Sequence, residues 1–359
     1  MSLALALGRR GLGNTWPNPA VGAVIVRDEA GGRVIVGRGW TAPGGRPHAE
    51  IEALGRAGEA ARGATMYVTL EPCSHHGKSP PCADAIIGAG IARVVSALED
   101  PNPEVAGAGH ARLREAGIAV EVGLGAEDAR RAHAGHLRRI RDHRPHVTLK
   151  MALSADRKIA AAGRRSTTIT GAAARARVHR MRAMNDAILV GIGTVLADDP
   201  QLTCRLPGME KLSPVRVVLD TQLRMRSGSV LAKSARATPV WVVSAPDAAP
   251  VTAGALAKQG VEVLAASGRA GRLDLAAVLA VLAERGITRL MVEGGATVAA
   301  SFVADDLVDE AALFRSPTVV GPDGIDALEG MRLDALTARM RSTGREAVGE
   351  DSVEFFERA

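Results

Sequence analysis

The feature that most constrains this chain is a group of metal-binding and acidic side chains in its first half. His48 and Glu50 lie in the segment PHAE, Cys73 ends the segment EPC and Cys82 ends the segment PPC. One imidazole and two thiolates are a typical ligand set for catalytic zinc, because they leave the fourth position for water. Glu50 follows His48 too closely to share the same metal geometry, and it can carry protons to and from that water. The pattern predicts zinc ligands at His48, Cys73 and Cys82 and a catalytic carboxylate at Glu50.

A structural zinc site is the alternative interpretation of the same residues. It would take four protein ligands, and His75 or His76 could complete the set. That arrangement leaves Glu50 without a role, so the catalytic site is favoured. The spacing of the cysteines is a second clue. Eight residues separate them, whereas the nucleobase deaminase signature has the shorter form C-x-x-C.

The composition limits the classes of protein to which the chain can belong. Its 359 residues, 47% of them hydrophobic, are enough for two domains with sizeable cores. The net charge of +6 comes from scattered basic residues and only 2% of residues are aromatic, so a base-stacking surface for nucleic acid is not expected. Three cysteines, two of them in the motif, indicate a reducing cytoplasm. We expect no signal peptide and no membrane span, which would need ~18 apolar residues.

Helical and strand patterns alternate through both halves of the chain. This alternation predicts α/β layered domains. A polar, Arg-rich helix is broken at Arg144-Pro145, where we place the boundary between a domain at 1–143 and a domain at 146–359. In the second domain, the segments 308–313 and 352–356 are predicted to be closing edge strands.

Two glycine segments in the second domain follow predicted strands. They are GIGT, from Gly191, and EGGAT, from Glu293, and the second opens a helix. Backbone amides at such a helix start can approach a phosphate, and the helix dipole favours the anion. Each segment is also compatible with an ordinary tight turn. No GxGxxG follows a strand, so a Rossmann fingerprint is not supported.

Five segments of the first half together resemble one enzyme family. They are PNPAVG from Pro17, PHAE from Pro47, VTLEPCSHHGKSPPC from Val68, DPNP from Asp100 and VAG from Val105. The combination is similar to the bifunctional riboflavin-biosynthesis deaminase–reductases, whose motif has the long insert between the cysteines. The resemblance implies a cytidine-deaminase-like three-layer α/β domain followed by a dihydrofolate-reductase-like α/β domain. It also implies zinc-dependent deamination of a diaminopyrimidinone ribosylamino phosphate, then NADPH-dependent reduction of the ribosyl group to ribityl.

The same resemblance implies roles for individual residues. In the first half, the zinc ligands and Glu50 keep the roles given above, Asn18 would recognise the pyrimidine, and Lys78 would lie near the phosphate. In the second half, NADPH would be held by Thr194, Asp198 and the segment 295–301, which includes Gly295, Ala296 and Thr297. The substrate would be held by Ser166, Arg182, Leu202, Arg205 and Glu293, and the two arginines suit its phosphate.

The second half departs from the family pattern at three positions. Leu153 stands where a small residue is usual, Arg157 where glycine is usual and Thr168 where tryptophan is usual. Arg157 adds bulk where the backbone needs freedom, and the missing tryptophan removes a face that would pack on the cofactor. The alternative function is therefore a deaminase with a reductase-like domain that is inactive or altered in cofactor use. The expected partner is a small-molecule substrate, with no nucleic acid or membrane, and the chain is compatible with a homo-oligomer.

Overall fold

The chain folds into two units, Met1–His143 and Arg144–Ala359. The computed structural model describes residues 1–75, 80–165, 167–269 and 271–358. Each unit contains one main sheet with helices packed on it, so the α/β class predicted for both halves is confirmed. None of the helices in these residues combines the length and the apolar character that crossing a bilayer requires.

The first unit is built on a five-stranded sheet with the strand order β2-β1-β3-β4-β5. Its strands are β1 Gly22–Glu29, β2 Gly32–Trp40, β3 Thr65–Val68, β4 Arg93–Ser96 and β5 Ala119–Val122. Its helices are α1 Ser2–Gly8, α2 Ala49–Ala57, α3 Cys82–Gly88, α4 Ala108–Glu115, α5 Ala126–Ala132 and α6 Ala134–Asp142. Strand β1 is antiparallel to β2 and β3, whereas β3, β4 and β5 are parallel. The carboxyl ends of β3 and β4 therefore lie at one edge of the sheet.

Small residues seat α2 directly against the sheet. Ala49 and Ala53 of this helix are fully buried. A Cβ atom on Gly37 or Gly39 of β2 would lie 2.3 Å from the carbonyl oxygen of Ala53 or Ala49, respectively. The helix can approach the strand this closely only because both strand positions lack a side chain. This contact positions the start of α2, which carries the residues of the zinc motif.

The second unit is built on a nine-stranded sheet with the order β11-β10-β9-β8-β14-β6-β15-β18-β17. Its strands are β6 His146–Leu153, β7 Lys158–Ala160, β8 Ala187–Gly191, β9 Val215–Leu219, β10 Val240–Ser244, β11 Glu262–Ala265, β12 Gly268–Arg269, β13 Arg272–Leu273, β14 Arg289–Val292, β15 Glu310–Arg315, β16 Ile325–Asp326, β17 Met340–Val348 and β18 Asp351–Arg358. Its helices are α7 Ala172–Ala183, α8 Ile192–Asp198, α9 Val230–Lys233, α10 Pro250–Gln259, α11 Leu275–Glu284, α12 Ala296–Ala304 and α13 Asp334–Thr337. The short strands β12 and β13, and β7 and β16, form two separate pairs.

The first seven strands of this sheet, from β11 to β15, are parallel. Strands β8 and β10 are buried along their whole length, as their continuous hydrophobic sequences require. Arg216 of β9 is also fully buried. Its guanidinium donates to the carbonyl oxygen of Gln201 at 3.2 Å and to the hydroxyl of Ser234 at 2.7 Å, so the charge ties the segment before Leu202 to the core. Burial lowers the pKa of Arg216 to about 10.

The prediction of two closing edge strands was wrong. The strands at the predicted positions, β15 and β18, both lie inside the sheet, because β17 pairs antiparallel with the outer side of β18. Strand β17 is exposed along most of its length and carries a register irregularity between Ser342 and Gly344. Its polar sequence lacks the alternation that marks a half-buried strand, which is why the pattern did not predict it.

Candidate active sites

Three element ends bring the predicted metal ligands of the first unit together. His48 immediately precedes α2, Cys73 lies in the loop after β3, and Cys82 is the first residue of α3. The Nδ1 atom of His48 lies 3.4 Å from the Sγ atom of Cys82 and 3.7 Å from the Sγ atom of Cys73. A tetrahedral zinc with ordinary bond lengths separates a nitrogen and a sulfur ligand by about 3.6 Å. The spacing of these atoms therefore fits zinc without rearrangement.

The charges of the two thiols also suit a divalent cation. The backbone N–H of Cys82 donates to the Sγ atom of Cys73 at 3.3 Å. Hydrogen bonding from Cys82 lowers the pKa of Cys73 to about 4, and the same contact, together with burial, raises the pKa of Cys82. The second thiolate is thus disfavoured by the first. A cation between the two sulfurs would offset that repulsion, which is the chemistry expected of a thiolate metal site.

Glu50 lies in the first turn of α2 and is 3% exposed. Burial raises the pKa of its carboxyl group. A buried carboxyl group keeps its proton more readily than an exposed one, which suits a proton carrier beside a metal site. Among the described residues, the cluster at this site contains His48, Cys73 and Cys82 but not His75. His76, the other candidate for a fourth ligand, lies outside the described residues, as does Lys78.

Asn18 is held in a tight turn near the loop that precedes His48. Its side-chain N–H donates to the carbonyl oxygen of Gly45 at 2.8 Å, and its backbone N–H donates to the carbonyl oxygen of Thr15. The side chain of Thr41 donates to the carbonyl oxygen of Pro19 at 3.0 Å and accepts from the backbone N–H of Val21 at 3.0 Å. The amide of Asn18 is thus fixed in orientation, which suits recognition of a planar base edge.

Glu71 is a residue of this site that the sequence pattern did not single out. Its carboxylate accepts backbone N–H groups from Asp100 at 3.1 Å, Gly107 at 3.0 Å and His110 at 3.1 Å. Glu71 lies two positions before Cys73 and its side chain is fully buried. It therefore joins the loop that carries Cys73 to the loop after β4 and to the first turn of α4. The only sequence signal was an acidic residue in an otherwise apolar strand end.

The second unit contains a cavity of about 580 Å³ at the carboxyl ends of its central parallel strands. Most of the residues predicted to hold NADPH or substrate line it: Thr194, Asp198, Gly295, Ala296, Thr297, Arg182, Leu202 and Glu293. Ligands of open α/β sheets bind at this edge, so the location suits a cofactor. Ser166 lies outside the described residues. Arg205 is exposed and does not line the cavity, and Ser301, at the end of the predicted segment 295–301, lines a separate, smaller cavity.

The start of α12 has the features of a phosphate-binding helix start. Gly295 precedes the helix, and within the described residues no side chain caps it. Backbone N–H groups at a helix start can bind an anion. A Cβ atom on Gly191 or Gly294 would lie 2.7 Å or 2.6 Å from the side chain of Val298. Glycine at both positions lets α12 pack directly onto the strand ends. These residues fit the diphosphate of a dinucleotide.

A buried ion pair occupies one side of the cavity. The guanidinium of Arg182 donates to both carboxylate oxygens of Glu293, at 2.8 Å and 2.9 Å. The ammonium of Lys150 lies 3.8 Å from the same carboxylate. Despite burial, Arg182 and Lys150 hold the pKa of Glu293 at about 2. Burial lowers the pKa of Lys150, and its charge is left without a full partner because Arg182 already neutralises Glu293.

Lys150 is a lining residue that sequence reasoning did not assign to the site. The sequence contained a signal for this residue, because a lysine inside the apolar strand β6 is rarely buried unless it has a partner. The segment that carries Leu202 is also held from the cavity side. Arg182 donates to the carbonyl oxygen of Thr203 at 3.2 Å, and Nδ1 of His179 lies 3.1 Å from the same oxygen. Leu202 itself has a φ of 57°, a strained value for a branched side chain.

The three departures from the family pattern have different structural settings. Leu153 is fully buried at the end of β6, and Thr168 is exposed, whereas its neighbour Thr167 lines the cavity. Arg157 has a φ of 62°, so the position does require the left-handed conformation that glycine adopts freely. The adjacent Asp156 still binds the backbone N–H groups of Val320 and Gly321. The turn is therefore formed, at a conformational cost.

Comparison with known proteins identifies the family. Residues 1–98 match the family described as the cytidine and deoxycytidylate deaminase zinc-binding region, and residues 145–353 match the RibD C-terminal domain. The riboflavin biosynthesis protein RibD of Aquifex aeolicus (strain VF5) is 41% identical over 359 residues, which cover 100% of this chain and 97% of the relative.

Solved structures agree with this assignment. Acinetobacter baumannii RibD has a TM-score of 0.88 at 35% identity, covering 100% of this chain and 97% of that chain. A Thermotoga maritima protein named a diaminohydroxyphosphoribosylaminopyrimidine deaminase/5-amino-6-(5-phosphoribosylamino)uracil reductase has a TM-score of 0.86 at 35% identity, with the same coverage. The predicted family and its two cofactors are confirmed: the chain belongs to the RibD family of riboflavin biosynthesis proteins and combines a zinc-binding deaminase domain with an NADPH-dependent reductase domain.

Proposed function

We propose that this chain deaminates a diaminopyrimidinone ribosylamino phosphate and then reduces the ribosyl group of the product to ribityl. The name of the Thermotoga maritima relative describes this pair of reactions. The observation that carries the proposal is the cluster of His48, Cys73, Cys82 and Glu50, because it pairs a three-ligand metal site with a buried proton carrier. We assign the deaminase to the domain at 1–143 and the reductase to the domain at 146–359.

In the deaminase domain, His48, Cys73 and Cys82 would hold Zn²⁺. Zinc bound there supplies Lewis-acid activation of a water molecule. Glu50 is placed to move a proton from that water to the departing amine, because it is buried beside the metal ligands and burial raises the pKa of its carboxyl group. The fixed amide of Asn18 orients the pyrimidine edge. Lys78 is proposed to lie near the substrate phosphate.

In the reductase domain, Thr194, Asp198, Gly295, Ala296 and Thr297 would hold NADPH. NADPH bound there supplies the hydride. We assign the binding and orientation of the substrate to Ser166, Arg182, Leu202, Arg205 and Glu293. Arg182 is already paired with Glu293 within the cavity, which leaves Arg205 as the arginine for the phosphate. Lys150, whose pKa burial lowers, is the buried group from which the substrate takes a proton during reduction, and Glu293 stays ionised beside it.

The same proposal covers the setting of the reaction. All three cysteines are free, which suits a cytoplasmic enzyme. The substrate is a small molecule, and we propose neither a nucleic acid nor a membrane as partner, whereas a homo-oligomer is compatible with the chain. The intact charge arrangement around Glu293 favours an active reductase over the alternative of a reductase-like domain without activity.

The proposal is tested by following ammonia release and NADPH oxidation together in the zinc-loaded protein. With the diaminopyrimidinone ribosylamino phosphate as substrate, we expect ammonia first and NADPH oxidation only afterwards. The Glu50→Gln variant should release ammonia about 10²–10⁴-fold more slowly but should still oxidise NADPH when it is given the deaminated compound. Absence of ammonia from the wild type would refute the deaminase. Ammonia without NADPH oxidation would refute the reductase and support the alternative function.

A further inference from the structure

One cationic side chain of the reductase cavity has no role in the proposed function. Arg224 lines the cavity on the turn that follows β9, and 55% of its side chain is exposed. Its neighbours Leu223 and Met225 are 4% and 2% exposed and belong to the core of the unit. Because the two flanking side chains point inward, the turn directs Arg224 outward to the rim of the cavity.

The conformation of this turn is set by Asp220. The backbone N–H of Met225 donates to Oδ2 of Asp220 at 2.7 Å, and Leu223 has a φ of 53°. The Oδ1 atom of Asp220 lies 4.0 Å from Nε of Arg224 and has no hydrogen-bond partner within the described part of the chain. Within the same residues, the guanidinium of Arg224 makes no hydrogen bond of its own. Its two terminal nitrogens are therefore available to an anion.

The burial of Asp220 argues against specificity for the unphosphorylated nicotinamide cofactor. An acidic residue near the end of a strand commonly binds the free ribose hydroxyl of the unphosphorylated nicotinamide cofactor. Asp220 stands immediately after β9, where such a residue would be found, but it is 0% exposed. Its carboxylate is committed to the backbone of the turn, so it cannot reach a ribose. The position leaves Arg224 as the polar side chain that faces a ligand there.

The strand order places Arg224 at the far end of a bound dinucleotide. Strands β9, β8, β14 and β6 are neighbours in this order. The segments that follow β9, β8 and β14 provide Arg224, Thr194 and the start of α12, and β6 itself provides Lys150 beside Glu293. At about 4.8 Å between strands, three spacings separate the reacting end from Arg224 by roughly 14 Å. A cofactor whose nicotinamide lies near Lys150 and whose diphosphate lies at α12 would bring its adenosine to Arg224.

We propose that Arg224 selects the phosphorylated nicotinamide cofactor by binding the phosphate on its adenosine ribose. The inference rests on the proposed reductase function, since it names the cofactor end of that same site. The planar guanidinium can donate two parallel hydrogen bonds to phosphate oxygens, and Asp220 steadies its Nε edge without neutralising it by direct contact.

The proposal is tested by titrating the full-length protein with adenosine 2′,5′-bisphosphate and with 5′-AMP, using calorimetry without substrate. We expect the wild type to bind the bisphosphate about 10- to 100-fold more tightly, the range for charge-assisted hydrogen bonds. Arg224→Gln should abolish this preference and leave the affinity for 5′-AMP unchanged. Arg226→Gln is the matched control, because Arg226 is exposed on the same turn and does not line the cavity.

Binding measurements with NADPH and NADH distinguish a failure of this proposal from a failure of the proposed reductase. If Arg224→Gln binds NADPH and NADH with the wild-type ratio of dissociation constants, the role of Arg224 is refuted while the reductase stands. If the wild type binds neither cofactor, both are refuted. Arg224→Lys should retain part of the preference, since a point charge replaces the bidentate fork. An Arg224→Lys variant that behaves as Arg224→Gln while circular dichroism shows both folded would contradict a charge-based role.

Discussion

The deaminase cluster and the reductase cavity use similar sheet edges but draw on very different lengths of chain. The metal-binding side chains come from three neighbouring element ends, His48, Cys73 and Cys82. The cavity is lined by residues from Lys150 to Ile325, contributed by strands that are distant in sequence. In the first site, backbone N–H groups hold Cys73 and Glu71. In the second site, the charged groups Arg182, Lys150 and Glu293 hold each other. We therefore expect that a substitution at a catalytic residue of the deaminase changes activity but not folding stability. A substitution of a charged residue in the reductase cavity should change both.

The largest effect is expected at Glu50, and it tests whether activity and stability are separable in the deaminase. Glu50→Gln removes the proton carrier and keeps its shape, so deamination should fall by about 10²–10⁴-fold. Unfolding of the first unit should be little changed, because Gln keeps the shape of the side chain and needs no buried charge, whereas burial raises the pKa of Glu50. Ammonia release and zinc content are measured together. A variant that loses zinc as well as activity would show that Glu50 supports the metal site structurally.

Glu293→Gln tests whether activity and stability are coupled in the reductase. It leaves Arg182 and Lys150 buried without their carboxylate, which should lower the free energy of unfolding of the second unit by about 3 kcal/mol and abolish NADPH oxidation. Denaturant unfolding followed by the fluorescence of Trp241, which lies in β10 of this unit, measures the first effect. The matched control is Glu284→Gln at the end of α11, which is exposed. Unchanged stability with lost activity would break the comparison.

The same carboxylate predicts a pH dependence. Its pKa in the folded chain is about 2, below the ordinary value of 4.5, so Glu293 stabilises the second unit above about pH 4.5. That contribution is lost as the pH falls from 4.5 towards 2. The difference in stability between wild type and Glu293→Gln should therefore shrink over this window. A difference that stays constant from pH 6 to pH 2, a range that spans this window, would contradict the ion pair as its source.

Glu71→Gln sharpens the comparison from within the first unit. The three backbone N–H groups that Glu71 accepts would lose their anionic partner, so the unit should lose about 2 kcal/mol of unfolding free energy. Deamination should fall by a smaller factor than in Glu50→Gln. Glu104→Gln, an exposed change on the loop after β4, is the control. The fluorescence of Trp16 and Trp40 reports on this unit, with Trp241 replaced by Phe.

The smallest effect is expected at Arg157. Arg157→Gly removes the cost of a left-handed arginine and adds flexibility to the unfolded chain, so the net gain should be at most about 1 kcal/mol. NADPH oxidation should change little. A loss of stability would mean that the arginine side chain itself makes a favourable contribution to the turn.

The zinc cluster could be predicted from sequence because its spacing is local. His48, Cys73 and Cys82 lie at element ends that helix and strand patterns already mark. Lys150 and Arg224 could not be assigned in the same way, because their proximity depends on which strands are neighbours in a nine-stranded sheet. The pairing of Arg182 with Glu293 joins residues 111 positions apart, and no local pattern specifies it. Because Arg182 already pairs with Glu293 in the cavity, its role towards a phosphate stays a prediction.

The α/β class was predictable from periodicity, but the sheet edge was not. Strands β15 and β18 have the apolar character that buried strands need, whereas β17 is exposed and polar. A strand with no buried face has no hydrophobic pattern to detect.

This outermost strand also affects how copies of the chain meet one another when concentrated. An open strand edge is a template for further strands, and it drives aggregation when it is long, flat and apolar. Strand β17 is instead charged at Arg341, Arg345 and Glu346 and irregular near Gly344. Both features oppose the addition of another backbone. Any association of copies should therefore use other surfaces, and this edge keeps the nine-stranded sheet from growing into a fibre.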